Sequence, residues 1–160
     1  MNRAVFFDRD GIVNERKIGG YIENENEFVF LPDFFEIFKA VKQNYLAILV
    51  TNQQGISKGI MTEADLDNVH NYMQNQLKEK TGYTFDDIYF CIDLAETNSY
   101  HRKPNPGMIL DAVEKWNIDK NASWMIGDDI SDYEAGYNAG VNTILIGDYS
   151  REEAPHADHI

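Results

Sequence analysis

Asp8-Arg9-Asp10-Gly11 sets two carboxylates two residues apart and follows them with a glycine. At the end of an extended segment such a pair can address one site, and the glycine lets the backbone turn sharply beneath a ligand. A second polar group, Thr51-Asn52-Gln53-Gln54-Gly55, is neutral and rich in donors, while Arg102-Lys103-Pro104 is basic. Gly127-Asp128-Asp129 is acidic again, with Asp132 a little further on. Carboxylates that converge without histidine or cysteine favour a hard, oxygen-seeking cation such as Mg²⁺. Arginine, lysine, threonine and backbone amides in the same crevice suit the oxygens of a phosphoryl group. A cation together with a phosphate accounts for acids and bases sharing one place. Phosphate esters hydrolyse extremely slowly unaided, so such a site has to neutralise the phosphoryl group and align a nucleophile. Taken singly, each cluster reads more readily as a turn, a cap or a solvated surface. Their order relative to the elements that carry them is what joins them.

Those elements alternate. Ala4 to Phe7, Leu46 to Thr51, Ile88 to Ile92, Ser123 to Ile126 and Asn142 to Ile146 read as short buried strands. Between them lie helical periods. Phe34, Ile37, Phe38 and Val41 share one face after Asp33, which with Glu36 predicts a capping box. Leu66, Val69, Met73 and Leu77 follow a Thr62 cap and end before Gly82. Ile109, Ala112, Val113 and Trp116 follow Asn105 as cap and Pro106 in the first turn. Ser131 with Glu134 predicts a further capping box, and Gly140 a helix end. Strand-helix alternation implies right-handed crossovers and a mostly parallel central sheet with helices on both faces. This is an α/β fold in a single Rossmann-like domain over residues 1–160, with Glu15 to Phe30 as an aperiodic flap. Ligands in such sheets bind at the carboxyl ends of the strands, where all four clusters fall.

Bulk properties narrow the function. A chain of 160 residues that is 43% hydrophobic and 12% aromatic can bury a core and is too apolar to be disordered. A formal net charge of −13 with no basic stripe speaks against a nucleic-acid partner. The longest apolar runs, such as Leu46 to Val50, are too short to cross a bilayer, so no membrane partner is expected. Met1-Asn2-Arg3 leads straight into a strand without a signal-peptide pattern, and the single Cys91 cannot form an internal disulfide. A cytoplasmic, monomeric protein is the expectation.

The ordered set resembles the haloacid dehalogenase (HAD) superfamily of phosphatases over almost the whole chain. Asp8-x-Asp10-Gly11, Thr51-Asn52, Lys103-Pro104 and Gly127-Asp128-Asp129 match its four motifs. Asp8 to Asn14, Gly20-Tyr21, Thr51 to Ile56 and Arg102 to Met108 are similar to the branch that holds the heptose 1,7-bisphosphate and histidinol-phosphate phosphatases. The resemblance implies that Asp8 is the nucleophile and Asp10 the general acid and base. It implies Mg²⁺ held by Asp8, the Asp10 carbonyl and Asp128, with Thr51 and Lys103 stabilising the transferring phosphoryl group. Gly20, Tyr21, Asn52, Gln53, Gln54, Arg102 and Asp129 would contact the rest of a small phosphorylated metabolite. A sugar bisphosphate is the leading substrate class, and Arg102 would take its second phosphate. Histidinol phosphate, a polynucleotide 3′-phosphate and a non-catalytic binding role are the competing readings. Asp132 reads either as support for the site or as a plain first-turn acid.

Three departures from the branch stand out. Its zinc loop, Cys-x-His then Cys-x-Cys, is replaced by Cys91-Ile92-Asp93 and Ser99-Tyr100-His101, which predicts a loop that orders without zinc. No segment is large enough for a substantial cap domain. Family members also continue past the position of Ala157 to Ile160 through a strand and helix, which implies a less covered sheet edge here.

Overall fold

The computed structural model describes residues 1–160. Five strands form its sheet: β1 (Ala4–Phe7), β2 (Leu46–Asn52), β3 (Asp87–Cys91), β4 (Trp124–Gly127) and β5 (Asn142–Leu145). All neighbours pair in parallel, in the order β3-β2-β1-β4-β5. Four α-helices connect them: α1 (Phe34–Lys42), α2 (Glu63–Thr81), α3 (Gly107–Trp116) and α4 (Ile130–Ala139).

Alternation along the strands sorts the core into two layers. Val5 and Phe7 of β1 and Ala47 and Leu49 of β2 pack with Phe34 and Phe38 of α1 and with Val69, Met73 and Leu77 of α2. Ala4, Phe6, Ile48 and Val50 face the other way, onto Met108, Ile109 and Ala112 of α3 and Ala135 and Ala139 of α4. Phe7 meets Phe34 edge-on at 5.5 Å between ring centroids. Each such fully buried aromatic contributes roughly 1.5–3 kcal/mol relative to exposure. The layers therefore hold the strand ends rigid beneath whatever sits on them.

Helix ends explain where the residue pattern and the fold part company. Thr62 caps α2 as expected, with Asp65 completing the box, and Gly82 ends the helix at φ 81°. Asp33 precedes α1, but it is itself helical and its side chain makes no capping bond. Asn105 does not cap α3; its amide instead donates to the carbonyls of Asn98 and Ser99. The cap of α4 is Asp129, not Ser131, because β4 runs to Gly127 and the helix starts at once. Ile37, expected in the core of α1, is half exposed and lines an apolar groove with Ile144 and Ile146.

The stretch from Glu15 to Phe30 forms only one 3-10 turn, Glu25–Glu27, yet it is anchored by buried Ile22 and Phe28. On the far edge, Asp158 and His159 donate from their backbones to the Thr143 carbonyl and the Leu145 N–H donates to that of His159, so the last residues lie along β5.

The chain walks from β1 to β2 and β3 on one side, then crosses to β4 and β5 on the other. The gap between the carboxyl ends of β1 and β4 is thus the topological switch point, where open parallel sheets bind ligands.

Candidate active site

Asp8 is the first residue past β1, and its N–H donates to the Ile126 carbonyl at 3.0 Å, which fixes it beside the end of β4. Lys103 comes from the loop before α3 and is buried beneath it. Its Nζ donates to Asp8 Oδ1 (2.8 Å), the Val50 carbonyl (3.0 Å) and Asp132 Oδ1 (2.5 Å). Asn52 clamps the lysine's backbone, accepting from its N–H at 3.1 Å and donating to its carbonyl at 3.2 Å. Asp132 is 1% exposed, which decides between its two readings. Its Oδ2 accepts from the N–H groups of Asp128 (3.2 Å) and Asp129 (3.1 Å), so it shapes the β4–α4 turn while holding Lys103. Gly127 permits that approach, since a Cβ there would lie 2.2 Å from that of Asp132.

One ammonium is shared between two buried carboxylates. Burial, then the neighbouring charge of Asp132, pushes Asp8 up to about 7 against the pull of Lys103. Burial works against charge on Lys103, yet Asp132 and Asp8 outweigh it, so the lysine stays protonated.

Asp10 is held differently. Burial alone would raise its pKa, but the Arg9 guanidinium and hydrogen bonds from Asn14, Arg9 and Gln53 keep it below the usual carboxylate value. Arg9 is wholly buried; Nη2 donates to Asp10 Oδ1 at 2.9 Å and Nη1 lies 3.2 Å from His70 Nε2. Burial, then Arg9, pushes His70 down to about 3, so it faces the guanidinium as a neutral ring. Gln53 also departs from expectation. It is buried, and its amide donates to Asp10 Oδ2 (3.1 Å) and Thr51 Oγ1 (2.9 Å), supporting the carboxylate rather than facing a ligand.

Asp128 lies against the Asp8–Gly11 turn. Gly11, at φ +92°, is required there because a Cβ would fall 1.9 Å from Asp128 Oδ2. Carboxylate oxygens of Asp8, Asp128 and Asp132 come within 4.8 Å of one another. Those of Asp132 are already engaged by Lys103 and two N–H groups, which leaves Asp8, Asp128 and the nearby Asp10 carbonyl as oxygen donors. Arg16 stands in as a cation at this spot. Its Nη2 is 2.9 and 3.0 Å from the Asp128 oxygens and 3.4 Å from the Asp10 carbonyl. Burial and then Asp8 push Asp128 up to about 6 despite that partner. Crowded hard oxygens with excess negative charge fit a divalent cation of the Mg²⁺ or Ca²⁺ kind.

Asp8, Asp10, Arg16, Asn52, Lys103, Asp129 and Asp132 border a small polar cavity of about 190 Å³. It adjoins a larger one of about 640 Å³ walled by Arg16, Gly20, Tyr21, Asn52, Gln54 and Lys58. Asp129 chiefly caps α4, accepting from the N–H (3.0 Å) and hydroxyl (2.6 Å) of Ser131. Arg102 borders neither cavity; its Nη1 donates to the Asp93 carbonyl at 3.2 Å. In the former zinc-loop position, Cys91 Sγ lies 3.6 Å from Asp93 Oδ2 and 3.7 Å from Ser99 Oγ, while His101 turns away to Asp111 at 2.7 Å. The Asn105 amide bonds described above tie that loop.

The sheet, its switch-point crevice and the clustered carboxylates and lysine define a HAD-type phosphatase, a hydrolase of phosphate esters. A HAD-hydrolase-like family profile matches residues 100–160. D-glycero-beta-D-manno-heptose-1,7-bisphosphate 7-phosphatase of Helicobacter pylori is 40% identical over 157 residues, covering 98% of this chain and 90% of that one. The D-glycero-alpha-D-manno-heptose-1,7-bisphosphate 7-phosphatase of Burkholderia mallei is 41% identical over 153 residues, covering 91% and 79%. Among solved structures, the D,D-heptose 1,7-bisphosphate phosphatase of B. bronchiseptica, complexed with magnesium and phosphate, superposes with TM-score 0.84 at 28% identity, covering 89% of this chain and 79% of that one. This chain belongs to the heptose-1,7-bisphosphate 7-phosphatase family within the HAD phosphatases.

Proposed function

We propose that this chain hydrolyses one phosphate of a sugar bisphosphate through an aspartyl-phosphate on Asp8, with Mg²⁺ as cofactor. The single observation that carries the reading is the Asp8–Lys103–Asp132 constellation beside Asp128 at the switch point. The substrate class follows the relatives, which are named for both anomers of D-glycero-D-manno-heptose 1,7-bisphosphate.

Asp8 attacks phosphorus in line while Asp10 gives its proton to the departing sugar oxygen as the P–O bond breaks. Asp10 then takes a proton from the water that attacks the acyl-phosphate, releasing phosphate and restoring Asp8. Arg9, Asn14 and Gln53 favour its ionised form, suited to the second step. For the first, the arriving phosphoryl anion beside Asp10 raises its proton affinity. Lys103 and the Thr51 hydroxyl stabilise the phosphoryl oxygens. Asp8, Asp128 and the Asp10 carbonyl would hold Mg²⁺, which supplies charge neutralisation for the phosphoryl group and the Asp8 carboxylate.

Gly20, Tyr21, Asn52 and Gln54 face the larger cavity and are suited to the sugar. A phosphate-release comparison of heptose 1,7-bisphosphate, histidinol phosphate and a 3′-phosphorylated oligonucleotide tests the substrate. The bisphosphate should give the highest kcat/KM, and preference for either of the others would overturn that assignment.

A further inference from the structure

Arg16 occupies two of the three oxygen sources assigned above to the cation, the Asp128 carboxylate and the Asp10 carbonyl. It belongs to no helix or strand, its side chain is half exposed, and it borders both the phosphoryl-sized cavity and the larger one. Mg²⁺ binds oxygen at roughly 2.1 Å, so it cannot share Asp128 with a guanidinium already seated on both oxygens. Binding of one expels the other. An expelled Arg16 remains tethered by its loop at the rim of the larger cavity, whose wall also carries Lys58, 5.7 Å from the centroid of the Tyr21 ring.

That cavity needs cations if it receives a second phosphate; Lys58 is one without an ion pair, and the remaining candidates are engaged. Lys17, on the same wall, is ion-paired to Glu27. Arg102 is bonded to the Asp93 carbonyl outside the cavity. A guanidinium released at this rim is matched to phosphate by its planar pair of donors.

We propose that Arg16 is an exchangeable counter-ion, which neutralises Asp128 until the metal binds and then grips the second phosphate of the substrate. The inference rests on the cation site and bisphosphate class of the preceding section. Metal and substrate recognition are coupled through one side chain: the larger cavity, which already carries Lys58, gains a guanidinium only once the cation site is filled. The metal-free enzyme is thereby spared an open cluster of carboxylates.

Arg16→Gln separates this role from a merely structural one. Calorimetric titration with Mg²⁺ alone should show binding roughly fivefold tighter than wild type, as a competing ion pair is removed. In steady state with saturating Mg²⁺, KM for heptose 1,7-bisphosphate should rise roughly tenfold or more. KM for p-nitrophenyl phosphate, which has no second phosphate, should rise several-fold less than that. Unchanged or weaker Mg²⁺ binding, or an equal KM change for both esters, would overturn the exchange. Asp128→Asn serves as the control. If it loses Mg²⁺ binding while Arg16→Gln leaves it unaltered, the exchange is refuted and the metal site stands. If Asp128→Asn binds Mg²⁺ like wild type, the site reading itself fails.

Discussion

Asp132→Asn is a demanding perturbation because it changes one charge and almost no volume. The native carboxylate accepts from Lys103 on one oxygen and from two backbone N–H groups on the other. An asparagine keeps one acceptor and turns an NH₂ toward either the ammonium or the two N–H groups, a donor facing donors. Lys103 retains Asp8 and the Val50 carbonyl, so it is not orphaned. The loss is then nearer that of one charged hydrogen bond, about 2 kcal/mol, than the larger cost of isolating a buried ion. For a domain of this size that lowers the Tm by roughly 4–8 °C. Chemistry should suffer more than stability, since Lys103 would settle on Asp8 and tie up the nucleophile. A fall in kcat on the order of 100-fold is expected from such misplacement. Loss of the Asp132 charge also removes the second cause of the raised Asp8 pKa, so the acidic limb of the pH–rate profile should move to lower pH. Calorimetry with steady-state kinetics on an alkyl phosphate reads all three. Wild-type kcat with an unmoved acidic limb would refute the role given to Asp132.

Gly11→Ala should cut Mg²⁺ affinity by roughly tenfold or more, because its Cβ would fall 1.9 Å from Asp128 Oδ2 at a left-handed backbone position; unchanged calorimetric binding would count against the Asp128 site. Asp10→Asn should still release about one equivalent of aryl alcohol in a burst from an activated aryl phosphate, while its phosphorylation by an alkyl ester slows about 100-fold or more, since only the poor leaving group needs a proton; equal slowing of both would contradict its acid role. Asp8 and Asp128 are raised to about 7 and about 6 from an ordinary 3.8, so they favour the folded, metal-free state at acid pH and lose that contribution as pH rises through those values. Mg²⁺ should therefore raise the Tm more at about pH 8 than at about pH 5, where it must first displace protons; equal shifts by scanning calorimetry would contradict the assignment.

How much of this was legible depended on whether the signal was local. β1 was readable to the residue, and the four α2 core residues from Leu66 to Leu77 are all buried, because both rest on periodicity within one element. The α4 cap was misplaced by two residues because Asp129-x-x-Asp132 and Ser131-x-x-Glu134 are equivalent as patterns. Only the end of β4 at Gly127 selects between them. The same ambiguity hid Asp132, whose value lies in its contact with Lys103, 29 residues away in sequence. Gln53 shares the strand parity of Thr51 and so points into the protein toward Asp10, an orientation that its residue type does not announce. Arg9 carried no signal of burial, since its partners His70 and Phe28 lie in distant segments. Arg16 sat in an aperiodic stretch, and only the folded loop brings it to Asp128.

The central claim is covalent catalysis at Asp8, and trapping the phosphoryl group on it is the most direct test. Asp10→Asn, which blocks the water step, should accumulate one phosphoryl group per chain when mixed with an activated aryl phosphate and Mg²⁺ and quenched in acid. Peptide mass spectrometry should place that group on the segment containing Asp8, labile to hydroxylamine as an acyl-phosphate is, and Asp8→Asn should abolish it. Turnover in the Asp8→Asn enzyme at the wild-type rate, or a trapped phosphoryl group on any other residue, would contradict the mechanism.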